Sequence, residues 1–523
     1  MGRLGILVLL GALAARHAVP ASEGAAPGAA PPDAPRIESI EFRRGDVFSE
    51  SEASFWPFAA ANAIHAVTRE SFVQRELLFA VGDPLDPALL AETERNLRAT
   101  KLFRNVSVRA EGTKVVVATE DAWTLLPRVA ISRKAGVTEW SLGLEEGNLL
   151  GTGRELSFLY DDSAERTSRA VELTDRQFIW PHTRFQVGYS NLSDGESYQL
   201  ALSRPFYAVG VEEAAGIEMH HLETKAKTYA GGDEVAEWKR RERFLRLEGG
   251  KALRSGEAGA TRLTAGLEWD EVTLSPGDFG APPPPDEPRR FLWLFAGAER
   301  LGSDWIERRQ VEQLDRDEDF NLAPSGRLEL GVSTSVFSAE NALRLRATGS
   351  VGTLLPEGFA LLRLGVDGRL QGGVQDAKVS AEARGYRLRF PWTFIARVGV
   401  LAGWRLDPET QVYLDGLAGL RGYYLHAVAG EGRAVGNVEV RYFLFSNVLS
   451  LFSIGGAAFA DAGLSWGEPD GTWDLADLGV GLRIGLTRAS TNTLLRVDVA
   501  RALRPDPQGR TGWLVSFSSG SAF

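Results

Sequence analysis

In the last quarter of the chain, the stretch GLAGLRGYYLHAVAG sets Arg421 between Leu420 and Gly422, with Tyr423 and Tyr424 directly after. An arginine held out in solvent needs no such setting. Gly419 and Gly422 let the backbone approach a wall closely. A guanidinium stays charged and offers a planar fork that holds carboxylates through directional bonds. The chemistry this suits is an ion pair made in a tight place, not a reaction.

Other clusters carry less. His220 and His221 are adjacent in GIEMHHLE, so on a strand they face opposite sides and do not chelate together. DRDEDF offers Asp315, Asp317, Glu318 and Asp319, but it lacks the glycine and closing glutamate of a calcium loop and reads as a solvated turn. Lys239, Arg240, Arg241 and Arg243 in EWKRRERF suit anionic headgroups or a solvated strand end. GTGRE lacks the Gly-Lys-Ser/Thr ending of a phosphate loop. No nucleophile–base pair or metal cluster stands out, so the expectation is a protein that is not an enzyme, with no cofactor and no metal.

The elements that must position Arg421 follow from the rest of the chain. Its 523 residues exceed one ordinary compact domain, yet a large β-barrel uses several hundred residues in one piece. A net charge of −11 and a pI near 5.3 argue against a nucleic-acid partner. The absence of cysteine excludes disulfides, thiolate metal sites and a Cys nucleophile. Residues 1–23, with Arg3, an apolar run and then small residues, have the layout of a secretory signal peptide. Residues 24–35 form a Pro/Ala/Gly linker. No later run is long and apolar enough for a transmembrane helix.

Residues 36–123 read as a small α+β domain in the order β-α-α-β-β. RIESIEFRR alternates Ile37, Ile40 and Phe42 with polar neighbours. TRESFVQRELLF and DPALLAETERNLRATKLF carry helical apolar faces, the second opened by Asp86 and Pro87. RNVSVRAE and TKVVVATE close the domain around Glu111 and Gly112.

From 124 to 523 the period changes from 3.6 to 2. Leu263, Ala265, Leu267 and Trp269 oppose Arg262, Thr264, Gly266, Glu268 and Asp270. Leu478, Val480, Leu482 and Ile484 oppose Gly479, Gly481, Arg483 and Gly485. Alternation also fits a soluble sandwich. Segments of ten residues or more, charges and glycine on the polar face, and aromatics near strand ends favour a transmembrane antiparallel barrel. Trp180, Phe206, Tyr207, Trp392, Tyr423, Tyr424, Trp466 and Trp513 are candidates for the interfacial girdles. The chain closes on Trp513, Val515, Phe517 and the terminal Phe523, alternating with small or polar residues.

Together these features resemble the Omp85 superfamily of outer-membrane proteins, of the BamA, TamA and bacterial surface antigen type. The α+β domain is similar to a single POTRA module. GNLLGTG, with Asn148, Leu149, Leu150, Gly151, Thr152 and Gly153, resembles the family's first-hairpin turn. GLRGYYL resembles its loop motif, and the terminal aromatics resemble its C-terminal insertion signal.

The resemblance implies a barrel of sixteen strands, although alternating segments number nearer twenty, which keeps eighteen to twenty open. It implies a lid motif of Arg421, Gly422 and Tyr423 folded into the lumen, with Glu439 and Asp461 as the partners of Arg421. It also implies a seam gate between the strand around Thr138–Gly147 and that around Trp513–Phe523. The expected location is the outer membrane, with the POTRA in the periplasm. The expected partners are the lipid bilayer, unfolded outer-membrane or secreted client proteins, and periplasmic accessory proteins at the POTRA. The expected function is assembly and insertion of outer-membrane proteins. A dedicated secretion pore or a non-catalytic pore or surface protein are the alternatives.

Overall fold

The computed structural model describes residues 35–134, 137–163, 165–256, 258–283, 289–314, 317–336, 341–487 and 494–519. The expected signal peptide, all but one residue of the linker, and Phe523 lie outside the described residues.

The N-terminal domain comprises β1 (Ser39–Gly45), α1 (Trp56–Ile64), α2 (Glu70–Glu76), α3 (Pro87–Ala99), β2 (Phe103–Glu111) and β3 (Lys114–Asp121). Its sheet has the order β1-β3-β2, with β1 parallel and β2 antiparallel to β3. Asp86 caps α3 by accepting from the Ala88 N–H at 2.8 Å, and Pro87 fills the first turn, where its missing N–H costs nothing. Phe72, Val73, Leu90 and Leu97 from the helices pack onto Val108, Val115 and Val117 of the sheet. The sequence pattern misses α1. Its residues are nearly all apolar, so they show no helical alternation of apolar and polar positions, and none is buried.

Twenty strands, from Leu125–Lys134 to Trp513–Ser519, form one continuous antiparallel sheet in a barrel order that brings the last strand beside the first. The count is the upper end of the expected range, not sixteen. Neighbouring strands pair along this order, and the C-terminal strand Trp513–Ser519 lies next to the first strand, Leu125–Lys134. The expected gate strand needs correction: the neighbour of the C-terminal strand is Leu125–Lys134, and Val137–Glu146 is the second strand. The turn GNLLGTG therefore joins the second strand to the third, Arg154–Asp162.

The barrel is inside out. On the strand Gly259–Pro276, Arg262 and Glu268 are 4% and 0% exposed, while Leu263 and Leu267 are 44% and 45% exposed. Leu142, Leu144, Leu328, Leu330, Val398 and Val480 likewise face outward. A water-soluble sheet cannot sustain that arrangement. A bilayer-spanning barrel requires it, because lipid accepts apolar side chains and only a barrel satisfies the strand backbones internally. No helix among the described residues is long and apolar enough to cross a membrane.

The stretch SDWIERRQVEQLDRDEDF does not join the wall. It forms a separate hairpin, Trp305–Arg309 with Asp317–Asn321, at the barrel end that carries the N-terminal domain.

Candidate functional site

At the far end of the barrel, the chain between the strands Trp392–Trp404 and Gly432–Val448 folds back into the lumen. Its neck is a short antiparallel pair, Val412–Leu414 with Val428–Gly430. Arg289 pairs with Asp407 and Glu409 of this loop, and Arg369 donates to Asp407 at 3.0 Å. Asp415 shapes the turn by accepting from the N–H groups of Leu417, Ala418 and His426 at 2.9–3.0 Å. Leu414, Leu420 and Tyr423 then pack against Val435, Leu475 and Ala502 of the wall. The Tyr423 hydroxyl donates to the Ala476 carbonyl at 2.8 Å and accepts from the N–H groups of Ala476 and Arg504.

Gly422 is required by space. A Cβ there would lie 2.7 Å from the Asp477 Cβ and 3.0 Å from the Ala502 nitrogen.

The structure brings Arg421, Glu439 and Asp461 together. Arg421 grips Asp461 with two bonds, Nε to Oδ2 at 2.8 Å and Nη2 to Oδ1 at 2.9 Å, and reaches Glu439 Oε2 through Nη1 at 2.5 Å. Its guanidinium lies 3.4 Å from the centre of the Phe459 ring. Glu439 also receives Arg441 (Nε to Oε1, 2.8 Å) and Arg483 (Nη2 to Oε2, 2.8 Å), and Arg483 continues to Asp498 at 2.6 Å. Asn437 donates to Asp461 at 2.9 Å and to the Gly419 carbonyl at 2.8 Å.

Glu439, Asp461, Arg441, Arg483 and Asp498 are buried and the Arg421 side chain is 8% exposed, so removing one partner leaves its mate desolvated, at a cost of about 3–5 kcal/mol. Arg483 and Asp498 are additions to the sequence reading. Their signal was present in DLGVGLRIGL and LLRVDVAR, where a full charge sits on the polar face of a late strand.

The hairpin packs into the lumen from the other end. Val311 is buried against Leu322, Phe359, Tyr386 and Ile395. Thr393 donates to the Gln310 carbonyl at 3.1 Å, and Tyr386 and Arg384 donate to Glu312 at 3.2 and 3.3 Å. Glu318, read from sequence as part of a solvated turn, is turned inward. It accepts from the N–H groups of Val311, Glu312 and Gln313 at 3.0–3.2 Å. Burial pushes its carboxyl up to about 7, partly offset by those N–H donors.

Arg441 connects the two closures. Its Nη1 donates to the Val311 carbonyl at 3.0 Å while its Nε holds Glu439. Toward the N-terminal domain, Arg98 of α3 meets Glu307 at 3.2 Å and Asp319 at 3.7 Å. Contacts therefore run unbroken from α3 through the hairpin to Arg421.

The GNLLGTG turn is the joint between domain and barrel. Asn148 donates to Thr68 Oγ1 at 2.8 Å and accepts from the Gly153 N–H at 2.8 Å. The Leu150 carbonyl accepts from Arg69 Nε, and the Gly151 carbonyl from the Arg69 N–H. Thr152 closes the turn by donating to the Leu149 carbonyl at 2.7 Å. A Cβ on Gly151 would lie 2.4 Å from the Val67 carbonyl, and one on Gly153 would lie 2.1 Å from the Phe72 ring. Nearby, Gln177 bonds Glu76 at 2.6 Å, and His182 stacks on Tyr207 with ring centres 3.7 Å apart. A cavity of about 1160 Å³ opens between this docked domain and the barrel, lined by Phe103 to Val106 of β2, Arg98, Trp305 and Glu318.

Trp513, Val515 and Phe517 face outward on the last strand, with Leu514 and Ser516 turned in. The girdle assignment changes. Trp180, Trp392 and Trp513 are exposed, but Tyr423 is buried in the lid and Tyr424 lies under Arg510. Phe206 sits beside the buried Arg262, Tyr207 stacks on His182, and Trp466 packs on Gly432. His220 and His221 pair separately, with Glu242 and Glu223.

No protein-family model and no curated protein matches the sequence. Among solved structures, over 94% of its length the chain is similar to BamA from Haemophilus ducreyi lacking POTRA domains 1–3 (12% identity, 85% of that chain, TM-score 0.43), to CdiB from Acinetobacter baumannii (13%, 74%, 0.46) and to CdiB from Escherichia coli (13%, 76%, 0.46).

Proposed function

We propose that this chain is an outer-membrane protein of the Omp85 type that inserts client proteins into that membrane or passes them across it. Its N-terminal domain is a POTRA module in the periplasm, and assembly of other barrels is its main task. The observation that carries this reading is the pair of elements held inside the barrel. A loop is pinned by buried ion pairs from Arg421 to Glu439 and Asp461, and a hairpin is pinned by the hydrogen bond from Arg441 to the Val311 carbonyl. A static pore has no use for two closures joined to an external domain. A machine whose opening is triggered by a client does.

In this reading a client enters the cavity beside β2, a sheet edge with one free side, and adds a strand there. The seam between Leu125–Lys134 and Trp513–Ser519 then parts and templates the client strand. Burial of the client's own apolar surface supplies the free energy, so no cofactor or catalytic group takes part.

The test is a quantitative profile of outer-membrane proteins after depletion of this chain, beside an Arg421→Ala strain whose barrel is confirmed to insert. Broad loss of barrel proteins is the expected result. Loss of one secreted protein would assign dedicated secretion instead, and an unchanged profile would overturn both roles.

A further inference from the structure

Helix α1 is built opposite to a helix of a water-soluble domain. From Phe55 to Ile64 it carries no charge. Its exposed residues are Trp56, Ala59, Ala60, Ala63 and Ile64, spaced i, i+3, i+4, i+7 and i+8, so one continuous face points outward and is wholly apolar. Trp56 and Ile64 are 76% and 69% exposed. The one polar side chain of the helix, Asn62, is turned inward. It donates to the Phe48 carbonyl at 2.8 Å and accepts from the Phe48 N–H at 3.2 Å. Phe58 stacks on Phe48 with ring centres 4.1 Å apart, which fixes that inner face against the domain. A polar group inside and an apolar stripe outside is the same inversion the barrel wall shows.

The place of the helix matches. It ends at Ile64, and after His65 the Ala66 and Val67 carbonyls lie against Gly151 of the joint turn. That turn exposes Leu150 and is continuous with the strand Val137–Glu146, whose Leu142 and Leu144 belong to the outward apolar belt. The apolar face of α1 is thus linked through a short segment to a turn that leads into the outward apolar belt.

We propose that α1 is a membrane-surface anchor. It lies in the boundary between headgroups and acyl chains at the domain end of the barrel, with Trp56 and Ile64 as its inserted side chains. The domain is then held by lipid on one side and by the joint turn on the other, which fixes its angle to the barrel mouth. This rests on the placement of the barrel in a membrane, so the test must separate the two.

The chain has no cysteine, so single nitroxide labels can be placed on the full-length protein in phosphatidylethanolamine–phosphatidylglycerol vesicles. Three positions suffice: Ile64→Cys on α1, Val398→Cys on the outward belt and Arg109→Cys on exposed β2. Spin-label collision with oxygen, enriched in lipid, is compared with collision with a water-soluble nickel chelate. The expected result is that position 64 resembles 398, favouring oxygen, and differs from 109. If 64 resembles 109 while 398 is in lipid, the anchor is wrong and the membrane barrel stands. If 64 is shielded from both reagents, a protein partner or second copy covers the helix and the proposal fails. If 398 also favours the nickel chelate, the membrane placement itself is overturned.

Discussion

At the scale of single residues, Arg421 is the centre of the lid because geometry and burial act together. Two bonds to one carboxylate and one to another use the planar fork that lysine lacks. Arg421→Ala leaves Glu439 and Asp461 buried without this cation and should cost the docked lid about 3–5 kcal/mol. Protease cleavage within residues 405–431 should then become rapid in the intact barrel. Arg421→Lys should fall between, keeping charge but not the double grip. Cleavage of the alanine variant at the wild-type rate would show that the ion pairs do not hold the loop. Gly153→Ala tests the joint in the same way. With Phe72 2.1 Å from the added carbon, the domain has to shift, and amide exchange in α2 should rise while barrel amides stay protected.

At the scale of elements, the hairpin Trp305–Asn321 behaves as a titratable plug. The Glu318 carboxyl sits at about 7 when the hairpin is seated, against an ordinary value of 4.5 when it is released into water. Below 4.5 both states hold the proton. Between 4.5 and about 7 the seated state holds a proton that the released state gives up. Seating is therefore favoured at low pH and weakens as pH rises through that window. Protection factors of the Val311, Glu312 and Gln313 amides should be more than about tenfold higher at pH 5.5 than at pH 7.5. Glu318→Gln should remove most of that dependence. A pH dependence equal in the wild type and the glutamine variant would assign it to another group.

At the scale of the molecule, two closures in one lumen predict a barrel that conducts poorly. In planar bilayers the wild type should show small, rare openings. Replacing residues 305–321 by a short turn should leave the lid as the only barrier, and adding Arg421→Ala should give large, lasting conductance. Large conductance from the hairpin deletion alone would show that the lid does not seal. Locking the domain on the mouth is the complementary test. Glu92→Cys with Val209→Cys, where the Val209 N–H now meets Glu92 at 2.6 Å, should trap the docked state when oxidised, and reductant should restore function.

Much of this architecture is legible in the sequence because its rules are local. Period-two alternation with charges on the polar face marks the long strands of the sheet, as on Gly259–Pro276. The alternating segments DLGVGLRIGL and LLRVDVAR lie in the strands Trp473–Leu486 and Leu494–Ala502. Asp86 and Pro87 announce α3 through capping chemistry that needs no tertiary partner.

What only the tertiary structure decided are the facts that depend on distant contacts. The hairpin Trp305–Asn321 alternates as a wall strand does, and only its seating on Tyr386, Thr393 and Arg441 separates it from the wall. Helix α1 has no ordinary amphipathic signal because its exposed face is apolar and its one polar residue, Asn62, is turned inward onto Phe48. The turn GNLLGTG reads as a hairpin from its own residues, but its glycines are required by Val67 and Phe72, more than seventy residues away in the chain. Residue types and their spacing determine the periodicity, the sidedness and the residue able to hold a buried ion pair. Which charges meet, and which elements fill the lumen, is determined by closing the sheet around them, since only that closure removes water and makes each pairing obligatory.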